Sequence, residues 1–119
     1  MTIHIKRAYE KPAKTDGYRV LVDRLWPRGV SKAAAKLDAW EKELAPSTEL
    51  RTWFGHDPKR WAAFRTKYRQ ELRAHKAELI ALKKRAAHIT IVYGAKDPVH
   101  NQAVVLQEAL EKLATTKAR

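Results

Sequence analysis

The chain has 119 residues, 45% of them hydrophobic, which suits one domain that buries its own core and excludes a disordered polymer. It holds no cysteine, so disulfides, thiolate metal sites and thiol nucleophiles are excluded together. With 25 Lys+Arg against 13 Asp+Glu the formal charge is +12; such a surplus draws polyanions or steers a small anion into a pocket, and it also fits a plain solvated surface.

The opening residues 1–7 lack the apolar run of a leader, and no later stretch approaches the ~20 apolar residues of a membrane span. A cytoplasmic protein without membrane contact is expected, folding as one unit over 1–114 with a basic tail over 115–119. Ile3 to Ala8 alternates apolar and polar residues, as a short strand does. Tyr9 to Gly17, with Pro12 and Asp16-Gly17, is a loop. Tyr18 to Asp23 is apolar and β-branched in its middle and suits a strand buried on both faces. Pro27 and Gly29 bar regular structure next, and Ser31 caps a short helix through the alanines at 33–35. A second short helix is expected over Asp38 to Leu44.

Ser47 or Thr48 opens a helical turn carrying Leu50, Trp53 and Phe54, which Gly55 ends. Asp57-Pro58 is a helix start, and Trp61, Phe64, Tyr68, Leu72, Leu79 and Leu82 form one apolar stripe, either on a single helix or with a break near His75. Ile89 to Tyr93 reads as another buried strand. Asp97-Pro98 repeats the helix-start signature, and the last helix presents Val99, Ala103, Leu106, Leu110 and Leu113 on one face.

Strands joined through helices imply an α/β fold with a short, about three-stranded, mainly parallel sheet flanked by helices. The connection Tyr9 to Gly17 is short for a crossover helix, so the direction of the first strand stays open. Ligands of such sheets sit beyond the carboxyl ends of the strands. One end delivers Asp23, Arg24, Trp26 and Arg28; the other delivers Lys96, His100 and Asn101. Asp23 and His100 are the candidate acid–base pair, although Asp23 can equally pair with an arginine or cap a helix. Arg28 offers a planar fork for a carboxylate or phosphate, with Trp26 as a wall. Lys96 beside a helix start suits an anion, but Asp97 competes for the same place. Arg51 is within reach as a further binding residue, and His56 is within reach of the same site. The five histidines lack metal-ligand spacing, and no phosphate loop or dinucleotide fingerprint is present, so neither metal nor cofactor is expected.

Leu21 to Gly29, Ala45 to Arg51, Trp53-Phe54, Tyr93 to Asp97 and His100 to Ala103 together resemble the YeaO-like proteins of domain-of-unknown-function family 488. The resemblance spans nearly the whole chain and implies no established activity. Larger relatives carry cysteine where Tyr93 stands and Cys-His-Arg where Asn101-Gln102-Ala103 stands. Cysteine chemistry therefore does not transfer to this chain. Some relatives are labelled transcriptional regulators, but no helix-turn-helix pattern is legible here.

Three uses follow. The first is an anionic-ligand site at the strand ends, serving a cofactor-independent hydrolase or transferase. The second is a nucleic-acid module using the basic row Arg65, Arg69, Arg73 and Lys76. The third is a protein-interaction domain whose polar motif serves folding alone.

Overall fold

Val20-Leu21-Val22 and Ile89 to Val92 are almost completely buried, and these two apolar runs form the middle of a parallel sheet. The computed structural model describes residues 2–113, so the expected tail 115–119 lies outside the described residues. The strands are β1 (Thr2–Arg7), β2 (Tyr18–Leu21), β3 (Ala39–Trp40) and β4 (His88–Tyr93), ordered β1-β4-β2-β3 with every pairing parallel. The helices are α1 (Lys32–Ala35), α2 (Thr48–Phe54), α3 (Trp61–Arg73), α4 (Lys76–Lys83) and α5 (Gln102–Lys112).

The sheet has four strands where three were expected. The extra one, β3, is two residues long and exists only by pairing with Val20 and Leu21. It replaces the first part of the helix expected over Asp38 to Leu44, of which a 3₁₀ turn at Lys42–Leu44 remains. The Asp38 carboxylate fixes this edge by accepting the Arg19 N–H at 2.8 Å, and the Asp38 N–H returns a bond to the Arg19 carbonyl.

β1 is parallel to its neighbour despite the short connection, which crosses β4 with only a 3₁₀ turn at Lys14–Asp16 in place of a full crossover helix. Thr90 of β4 donates its hydroxyl to the Asp16 carbonyl at 2.7 Å and pins the crossing. Gly17 is required there: its φ is +66°, and a Cβ would lie 2.3 Å from the His88 carbonyl oxygen. The buried Arg19 guanidinium reaches Asp16 at 2.6 Å and the Ala35 carbonyl at 2.8 Å, tying α1 to the crossing.

One face of the sheet meets α3 and α5 through Phe64, Tyr68, Ile89, Ile91, Val105 and Leu106. The other face is covered more thinly, by Trp26, Val30, Leu37 and Trp40 over Ala8, Leu21 and Val92. The apolar stripe bends at Ala74-His75, where α3 ends and α4 begins. Ser47 caps α2 by accepting the Leu50 N–H, and Glu71 of α3 accepts both the Ser47 N–H and its hydroxyl, at 2.8 and 2.6 Å. Glu71 thus does from a distant helix what the third residue of a capping box does locally. Among the described residues no helix is long and apolar enough to cross a membrane.

Candidate functional site

β2 ends at Leu21 and β4 at Tyr93, and the chain beyond both ends walls a cleft of about 230 Å³. Asp23, Arg24, Trp26, Arg28 and Arg51 all line it. Side chains at the ends of β1 and β2 tie its rim together. Arg7 donates from Nε to the Ala95 carbonyl at 2.9 Å, Tyr9 donates its hydroxyl to the Arg28 carbonyl at 2.9 Å, and Arg24 donates from Nε to the Pro46 carbonyl at 3.1 Å. The Trp40 indole N–H holds the Asp23 carbonyl at 2.7 Å, and its ring meets Trp26 edge to face.

Asp23 is the polar centre of the cleft. One carboxylate oxygen accepts the Gly94 N–H at 2.8 Å, and the other accepts Nε2 of Gln102. Burial pushes this carboxyl up to about 6, against the lowering pull of Gly94, Gln102 and the Arg51 charge. Gly94 has no room for a side chain, since a Cβ would sit 2.8 Å from Oδ2 of Asp23.

The second strand end contributes less than expected. Lys96 is exposed and does not line the cleft, and neither do His100 and Asn101. His100 turns its Nδ1 to Asp97 at 2.8 Å and sets its ring against Trp61 at 5.3 Å. Asn101 is buried as the N-cap of α5, accepting the Val104 N–H at 3.2 Å. The last helix therefore starts at Gln102 and not at Asp97, and Val99, expected on its buried face, is 58% exposed. Asp97 closes its own turn: the N–H groups of His100 and Val99, with the His100 ring, hold its carboxyl at about 2.

His56, within reach from the sequence, joins the wall, and Gln102, Tyr9 and Leu25, which had no role in the sequence reading, complete it. His56 follows Gly55, and both adopt positive φ, +57° and +54°. A non-glycine residue there carries a steric cost, and in this chain it sets an imidazole in the cleft. Gln102 reaches Asp23 from 79 positions away. Tyr9 and Leu25, 49% and 63% exposed, stand at the mouth. The basic row outside the cleft is partly neutralised, because Arg65 and Arg69 both reach Glu108 of α5, at 2.8 and 3.4 Å. Lys76 lies past the helix break, on α4.

The family described as "Inactive DUF488-N3 subclade" matches residues 2–119. The chain belongs to this family. The "Uncharacterized protein YeaO" of Escherichia coli (strain K12) is 44% identical over 116 residues, covering 95% of this chain and 100% of that protein. The "Uncharacterized protein Rv3073c" of Mycobacterium tuberculosis (strain ATCC 25618 / H37Rv) is 39% identical over 110 residues, covering 91% of this chain and 92% of that protein. The resemblance to YeaO-like proteins thus holds along nearly the whole chain. No solved structure matches it at a significant level.

Proposed function

We propose that the cleft beyond the strand ends binds a small molecule carrying an anionic group, and holds it without turning it over. The observation that carries this reading is the single cleft in which Arg24, Arg28, Arg51 and His56 surround one carboxyl. Guanidinium groups recognise carboxylate or phosphate in a planar fork, and the net charge of +12 steers such ligands inward. Turnover needs a positioned acid–base partner for Asp23. His100, the expected partner, is engaged by Asp97 and lies outside the cleft, and His56, the imidazole within it, makes no hydrogen bond to Asp23. The word "inactive" in the family description points the same way. A cytoplasmic location belongs to the same reading, supported by the absence of cysteine.

The nucleic-acid reading has less support. Glu108 engages two cations of the basic row, and the α3–α4 break divides the remainder.

Melting followed by fluorescence with inorganic phosphate, acetate and a neutral sugar tests the proposal. Phosphate or acetate raises the melting temperature and the sugar does not. Arg28→Ala and Arg51→Ala change exposed side chains, so they stay within about 0.5 kcal/mol of the parent yet lose the protection. Equal protection of parent and both variants refutes the site, and no protection by either anion refutes the reading.

A further inference from the structure

The cleft has unlike ends. Its floor is made of acceptors and its rim of cations. Each carboxylate oxygen of Asp23 has lone pairs beyond those used by Gly94 and Gln102, and the Gln102 amide oxygen adds another acceptor beside them. An inorganic anion gives that floor little and its charge is repelled by Asp23, while a sugar phosphate offers it hydroxyls but no coplanar ring N–H groups. A complementary ligand presents N–H donors inward and its negative charge outward. The walls between are aromatic, from Trp26, Phe54 and Phe64. The volume of about 230 Å³ is below that of ordinary drug-sized pockets, so a flat ring system fills it and the charged arm of the ligand lies at the open rim.

We infer that the ligand is a mononucleotide-like molecule, a planar ring bearing N–H groups that meets Asp23 and Gln102 while its phosphate meets the guanidinium rim. This inference rests on the anion-binding reading and narrows it. Asp23 selects the ring, and the arginines hold the charge.

Calorimetric titration of the full chain with adenosine 5′-monophosphate, ribose 5-phosphate and adenosine is the test. The nucleotide binds about tenfold or more tightly than the sugar phosphate, the worth of one hydrogen bond to a charged acceptor, and more tightly than adenosine. Asp23→Asn and Gln102→Leu, each checked for folding by near-ultraviolet circular dichroism, lose that preference while sugar-phosphate binding persists. If the sugar phosphate binds as tightly as the nucleotide, or both variants keep the preference, this inference falls and the anion site stands. If neither phosphate compound binds, or adenosine matches the nucleotide, both fall.

Discussion

Replacing Asp23 with asparagine removes a charge from a place that disfavours it. In the folded chain burial raises this carboxyl from 3.8 to about 6, so the native state prefers the neutral acid. The favourable contribution of that neutral acid is complete below pH 3.8 and is lost as pH rises through 6. At about 1.4 kcal/mol per pH unit, the gap amounts to roughly 3 kcal/mol of stability that the parent loses between pH 4 and pH 8. Asparagine is neutral throughout. Its carbonyl can keep the Gly94 N–H, and a turned Gln102 amide can accept from its nitrogen. Asp23→Asn therefore gains on the parent by about 3 kcal/mol across this range, most of it between pH 4 and 6.5. Urea unfolding followed by tryptophan fluorescence at half-unit pH intervals measures the difference, and groups common to both proteins cancel. A difference that stays level within about 0.5 kcal/mol, or shrinks with rising pH, refutes the argument that burial governs Asp23.

Three further outcomes are expected. Gly94→Ala drives a methyl group to 2.8 Å from Asp23 and disturbs the bond on its own N–H, costing about 1–3 kcal/mol in chemical denaturation. His56→Gly removes a side chain from a left-handed backbone position, so stability in urea unfolding holds within about 1 kcal/mol of the parent while phosphate protection weakens. Tyr68→Phe strands the buried Leu44 carbonyl that the phenol serves, lowering stability by about 1–3 kcal/mol with unchanged far-ultraviolet circular dichroism.

Local chemistry made much of the framework legible. Val20 to Val22 and Ile89 to Val92 announce strands because a run buried on both faces has no polar alternation to keep. Ser31 and Ser47 announce caps because their hydroxyls serve N–H groups three residues on. β3 was hidden because Ala39 and Trp40 have no strand pattern of their own; the neighbouring β2 imposes it. The start of α5 was misplaced because Asp97-Pro98 and Asn101 are both good cap signals. Asp97 instead spends its carboxylate on a separate turn.

The candidate site divides on the same principle. Asp23, Arg24, Trp26 and Arg28 follow one strand, so strand-end logic brings them to the cleft. His100 and Asn101 depended on the misplaced helix start and moved away with it. Gln102 arrives by tertiary packing, which residue spacing does not encode, and His56, within reach from the sequence, sits in the cleft on a left-handed backbone position that spacing does not show.

The stretch carrying Trp26 also roofs the thinner side of the sheet, where its indole lies over Leu21 and Val92. A molecule wedged against that indole would brace the roof as well as fill the hollow. Its arrival would be written far from the point of entry, in slower amide hydrogen exchange along β2 and at the Trp40 edge.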